Sequence, residues 1–289
     1  GIAGLVRIRP RNGYVLMPIG AFKSALLGAS GGFSAIGGNS IVEYTDPGDS
    51  VAYKAHIFTS SGTFEIKSGE ATIQYLVVAA GGNGGGHGSY NDCGATWGGG
   101  GAGGYRSSIA TDSYSGANSS LESTIDLGKG TYTVTVGGGV GAGGTGGSNG
   151  GDSTFHTVTS LGGGGGARFG SQTGKVGGSG GGPKGGNSQH YNDRGAGTAN
   201  QGFEGGTGQS CKGGGGGGAA SSGSNANGGS GLSSYASGSS VTYAKGGKGA
   251  GSDENCQTES GNTGNGSAGC KGGAAVASAD GIVIVRYAA

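Results

Sequence analysis

Two short segments carry the same run of side chains suited to contacting a partner: Ser89-Tyr90-Asn91-Asp92 and His190-Tyr191-Asn192-Asp193, the second followed by Arg194. Each offers an aromatic ring, an amide and a carboxylate, and rings of this kind bind with little loss of side-chain freedom. The one tryptophan, Trp97, follows the first segment. Tyr90, Asn91, Asp92, Trp97, His190, Tyr191, Asn192, Asp193 and Arg194 are therefore the candidate contact residues for a protein or carbohydrate. The plainer reading has the rings packing along the scaffold and closing its ends.

Catalysis has weaker support. Serine, histidine and aspartate are present, but no GxSxG stands in a strand-turn-helix context. Matches to GxGxxG arise by chance in a chain with 80 glycines among 289 residues, and no helix follows them. Asp152 in SNGGDSTF resembles a calcium-binding nonapeptide, yet the motif occurs once and has Asn149 where glycine belongs. Cys93, Cys211, Cys256 and Cys270 include no CxxC pair, so disulfides or buried thiols are expected ahead of a zinc site. They allow three pairings, which sequence leaves open. Two of them begin matching tetrapeptides, Cys211-Lys212-Gly213-Gly214 and Cys270-Lys271-Gly272-Gly273, a hint of equivalent places in a repeat. The expectation is a non-enzyme with no catalytic residues, no metal and no cofactor.

The elements that must position these segments are set by glycine. Gly138, Gly141, Gly144, Gly147 and Gly150 recur every third residue, and similar stretches run over 81–88, 98–104, 162–166, 174–186, 205–218, 246–251 and 261–273. A period of three fits neither α-helix nor strand. It fits a polyproline II helix, which makes no internal hydrogen bonds and turns every N–H and C=O outward to a neighbour. Collagen would need abundant proline, and only 4 are present. A flexible linker is the competing reading, but strand-like segments bracket the glycine region: 55–60, 63–66, 71–80, 131–136, 154–159 and 281–287 are rich in β-branched and aromatic residues. In such a bundle side chains would block lateral bonding, so Gly144→Val is expected to destabilise strongly.

The expected fold is mostly irregular and all-β: a bundle of polyglycine II helices capped by short antiparallel strands, with almost no α-helix beyond a possible turn over 22–27. Residues 1–50 read as an attachment or interface module, or more plainly as one further layer of the core. Residues 51–289 read as the glycine-rich domain: a β-meander over 51–80, the bundle and its polar loops over 81–275, and a closing strand over 281–287. Leu76–Val78 is expected to pair with Ile282–Val285. Arg7, Arg9 and Arg11 alternate with apolar residues and read first as a strand with a solvated basic face, with attachment to an acidic virion partner as the alternative. A net charge of +1 gives no footing for nucleic acid, no apolar run reaches membrane-spanning length, and a signal peptide is expected to be absent or already removed.

The segments IQYLVVAAGGNGGG, GGGGAGGYRSS, GTYTVTVGGG, SNGGDSTF and DGIVIVRY, in that order over about residues 55–289, resemble the glycine-rich domain of bacteriophage tail-fibre proteins. A related architecture occurs in tip adhesins of T-even-like phages, where loops between glycine-rich motifs bind an outer-membrane receptor. The resemblance implies a virion protein at the tail fibre, extracellular in action. Its partners would be other virion fibre or structural proteins and a bacterial surface receptor, protein or polysaccharide. It would act as a homotrimer or as a monomer on a trimeric fibre. Residues 1–50 carry no recognised attachment motif, and 220–245 is serine-rich where adhesin loops are often aromatic. Two other classes stay open: a structural virion component such as a head fibre or capsid decoration protein, and an ice-binding or extracellular matrix protein.

Overall fold

The computed structural model describes residues 5–8, 15–18, 32–86, 96–168, 170–186, 192–251, 256–271 and 273–289. Its strands are β1 (Leu5–Ile8), β2 (Val15–Pro18), β3 (Ser34–Ile36), β4 (Ser40–Thr45), β5 (Ala52–Phe58), β6 (Gly62–Ser68), β7 (Ala71–Val78) and β8 (Tyr105–Ser107). They continue with β9 (Ile125–Leu127), β10 (Gly130–Thr135), β11 (Ser153–Phe155), β12 (Val158–Ser160), β13 (Leu232–Ser234), β14 (Val241–Tyr243) and β15 (Ile282–Ala288). Helical structure among the described residues is a single 3-10 turn over Gly116–Asn118. The fold is all-β and mostly irregular.

Two sheets form a sandwich, with strand orders β12-β11-β10-β6-β3 and β4-β5-β15-β7-β8. Alternation decides which side chain enters the space between them. Val283, Val285 and Tyr287 of β15 join Ile73, Tyr75 and Val77 of β7 and Phe58, Phe64, Ile66 and Phe155 in one buried cluster. The opposite parity, Ile282 and Ile284 with Leu76 and Val78, packs against Tyr105, Ile109, Ala219 and Tyr243 in a second. The β15 sheet is thus covered on both faces. Its closing strand pairs as expected, Ile282 with Val78 and Ile284 with Leu76.

Several expectations are corrected. The meander over 51–80 does not form, because β5 and β7 each pair with β15 while β6 pairs with β10 and β3 in the other sheet. Each turn instead crosses the sandwich. The segment 154–159 is not one strand but the hairpin β11–β12, reversed at His156, whose φ is +51°. Residues 34–45 supply an edge strand to each sheet, so this part of the amino-terminal stretch is a layer of the core. The turn expected over 22–27 lies outside the described residues.

Beyond β7 the backbone changes its hydrogen-bonding period. The antiparallel pairing of β7 with β8, Val78 opposite Tyr105, continues as Ala79 N to Gly104 O (3.0 Å), Gly82 N to Gly101 O (2.9 Å) and Gly85 N to Gly98 O (2.9 Å). Two residues per repeat become three. The run 98–104 is the bundle's axis. Its amides donate in rotation to three neighbours: Gly98, Gly101 and Gly104 to Ala167, Gly164 and Leu161; Gly99 and Ala102 to Gly214 and Gly217; Gly100 and Gly103 to Ser267 and Gly264. Its carbonyls accept from three others: Gly85, Gly82 and Ala79; Gly182 and Ser179; and Gly247. Each bond contributes ~1 kcal/mol net.

Glycine is required here by close approach rather than by φ. A methyl group on Gly100 or Gly101 would come within 3.0 Å of backbone atoms of Gly82 or of Ser179 and Gly180. The first half of the run with the strictest spacing behaves differently, whereas Gly147 and Gly150 meet backbone as the axis does. Gly138, Gly141 and Gly144 have no atom within 4 Å of such a methyl, and Gly144 has φ +59°. That stretch lies at the edge of the bundle, exposed at all three positions, so the large effect expected for Gly144→Val loses its steric cause.

Candidate functional site

The axis has two ends. One joins the sheets at Gly104 and Tyr105; the other, at Trp97 and Gly98, gathers the polar turns. Gly185 N donates to Thr96 O (3.0 Å), Ala250 N to Trp97 O (2.9 Å), Cys270 N to Gly85 O (2.8 Å), Gly186 N to Gln209 O (3.2 Å) and Gly213 N to Ala250 O (2.9 Å). The tight turns Arg168–Ser171 and Gln209–Lys212 close on the same end, since Gly98 donates to Ala167 and Cys211 adopts φ +61° beside Gly213. Polar segments distant in sequence therefore converge at one end of a stiff lattice.

Of the candidate contact residues, Tyr90, Asn91, Asp92, His190 and Tyr191 lie outside the described residues. Asn192 and Arg194 are exposed. Arg194 Nη2 meets Glu204 Oε1 at 3.0 Å, an exposed ion pair of at most ~1 kcal/mol. The Asp193 carbonyl accepts from Gly174 N (2.8 Å) and Gly195 N donates to Gly181 O (2.9 Å), tying the segment back to the bundle. Trp97 is corrected: it is 3% exposed, and Lys184 Nζ stands 5.3 Å from its ring centre. The ring closes the lattice and presents no face to a partner. Of the attachment arginines, Arg7 lies on β1, which pairs with β2; Arg9 and Arg11 lie outside the described residues.

Cys211 and Cys270, which open the two matching tetrapeptides, reach the same end on runs of opposite chain sense. Gly214 and Gly217 follow the axis in parallel, so Cys211 opens its run; Gly264 and Ser267 oppose the axis, so Cys270 ends its run. Cys256 and Cys270 form a disulfide, and Cys211 is disulfide-bonded as well.

An open groove of about 520 Å³ on the side of the bundle is lined by Asn149, Asp152, Val176 and Thr198 among others. Its polar side chains are engaged by the scaffold. Asn149 donates to Val176 O (2.8 Å) and accepts from Gly165 N (3.0 Å), Asp152 accepts from Gly162 N (2.7 Å), and Thr198 donates to Gly177 O (2.9 Å). Asp152 thus acts as a carboxylate cap on a glycine run.

Sequence reasoning missed the buried charges. Arg286, fully buried, donates to Asp46 Oδ2 (2.6 Å), Tyr44 Oη (3.0 Å) and Gln74 Oε1 (2.8 and 3.0 Å), with the Tyr53 ring 3.9 Å from its guanidinium carbon. Burial pushes the Asp46 carboxyl up, and bonds from Arg286, Gly48 and Thr111 outweigh it and hold its pKa below the usual value. Nearby, Asp112 accepts from Tyr105 (2.9 Å) and Ser107 (2.7 Å), and burial raises its pKa despite them. Period two along β15 was the available signal, since it puts Arg286 on the face of Ile282 and Ile284. These groups fasten β4, β7 and the 109–112 loop to β15. Among the described residues no three histidine, cysteine or acidic side chains cluster as metal ligands.

Comparison with curated proteins gives no match. A family model described as a glycine-rich domain matches residues 59–288, from the turn after β5 to the end of β15. The chain belongs to this glycine-rich domain family.

Proposed function

We propose that this chain is the receptor-binding part of a bacteriophage tail fibre, an adhesin whose turns at the end of a polyglycine II bundle recognise a molecule on the bacterial surface. The observation that carries the reading is that the lattice has two unlike ends: strands close one, and the turns at 168 and 171, 184–186, 209–213 and 248–250 meet at the other. A lattice held by backbone bonds tolerates changes in its turns, which suits a site that must vary while the scaffold stays fixed. Bacterial surface polysaccharides and outer-membrane proteins both suit the aromatic, amide and carboxylate groups of 90–92 and 190–194.

The test is binding of the purified chain to bacterial cells and its competition with particle adsorption. Deleting 187–201 would cut into the bundle, because Gln201 Oε1 accepts from Leu161 N (2.8 Å) and Gly195 from the same segment is packed against Lys175. Replacing Tyr90, Asn91, Asp92, His190 and Tyr191 by serine spares those contacts. Loss of cell binding with an unchanged melting temperature supports the adhesin. Full binding by the substituted chain, or a position on the capsid in electron micrographs, favours the structural virion component instead.

A further inference from the structure

The ends of the molecule differ in what holds them. Both clusters of buried apolar side chains stand at the sheet end, and their deepest bundle members are Ala102, Ala219 and Ala244. At the opposite end, Cys256 is bonded to Cys270 and Cys211 is bonded too. Cys270 ends the run that lies against Gly85, and Cys211 opens the run that lies against Ala250. These runs reach their last lateral bonds just where the lattice stops. A cross-link there removes freedom from chain ends that lie outside both apolar clusters.

We infer that the cysteines form a redox-set lock on the polar end alone: oxidised, they hold the ends of the glycine runs in register; reduced, they let that end open while the sheet end stays folded. The reaction balances with a dithiol. Its thiolate attacks one sulfur of the Cys256–Cys270 bond, the mixed disulfide closes on the second thiol, and the products are two cysteine thiols and a cyclic disulfide. A chain made in a reducing compartment would set its polar end only on reaching an oxidising medium. The inference does not depend on what that end binds.

Amide hydrogen exchange on the full chain, with and without dithiothreitol, tests it, iodoacetamide counting the thiols released. Amides of 209–214, 248–250 and 267–271 are expected to exchange about tenfold faster or more after reduction, while 53–58, 73–78 and 282–287 keep their rates. The double variant Cys256→Ser, Cys270→Ser gives the same comparison without reductant, and is expected to accelerate exchange at 267–271. Unchanged exchange at the polar end in both samples overturns the lock. Acceleration spread equally over the sheet strands overturns it as well, since the cross-links would then support the whole fold.

Discussion

The sandwich and the glycine bundle are continuous along one hairpin, from β7 into 79–86 and from 98–104 into β8, yet they are stabilised by opposite means. In the sandwich, Phe58, Phe64, Phe155 and Tyr287 fill space between sheets, and stability comes from what the side chains contribute. In the bundle, runs approach until carbonyls face α-carbons, and stability depends on side chains being absent. The same backbone thus needs bulk on one side of Ala79 and none on the other.

The largest expected effect breaks the bundle. Gly100→Val places a side chain against backbone atoms of Gly82 and Asn83 that cannot rotate away, so a loss of more than about 4 kcal/mol, or failure to fold, is expected. Chemical denaturation measures it, and an unchanged midpoint would refute the close-packed lattice. Phe64→Ala does the reverse in the sandwich by leaving a void beside Phe155 and His56. About 3–5 kcal/mol should be lost.

Acid sharpens the comparison, because the buried ion pair belongs to the sheet end. The folded pKa of Asp46 lies below its unfolded value, so its contribution is fully present above the unfolded pKa, about 4, and disappears as pH falls through the folded value. The stability difference between the native chain and Asp46→Asn should therefore shrink as the pH falls below about 4. Asp112, with its raised pKa, works in the opposite sense: its proton is held more firmly in the folded state. A difference independent of pH would contradict the Asp46–Arg286 pairing.

The smallest effects come from the edge run. Gly144→Val should cost about 1–2 kcal/mol, from φ alone. Gly141→Val, in open space with ordinary φ, should stay within about 0.5 kcal/mol. Equal penalties at 100 and 141 would mean that spacing, not surroundings, governs glycine here.

Spacing was what the sequence offered, and it misled at one place. The period of three correctly announced polyglycine II, but the cleanest example of it, 138–150, begins along an edge at 138–144 and enters the lattice at 147–150, while the axis 98–104 reads only as GGGGAGG, which carries no phase. Strand positions were legible from β-branched residues in 71–80 and 281–287, as was their mutual pairing. Sheet membership was not, because 52–58, 62–68 and 71–78 look alike whether they pair with one another or alternate between layers. The hairpin of β13 and β14 hid in a serine-rich stretch with little β-branched signal. For the candidate site, the two echoed segments could be picked out by composition, but whether Trp97 faced inward depended on neighbours more than 80 residues away, including Lys184.

The change of period at Ala79 also has a mechanical meaning. A pull on the polar end along the bundle axis travels down the runs into β7 and β15, crossing lateral bonds set perpendicular to the load. Such bonds shear together instead of opening one after another, and the axis shares them with neighbours on every side. A glycine lattice with almost no apolar filling can therefore act as a rigid rod under tension, and its covalent path ends in the central strands of the sandwich, where the molecule is most deeply buried.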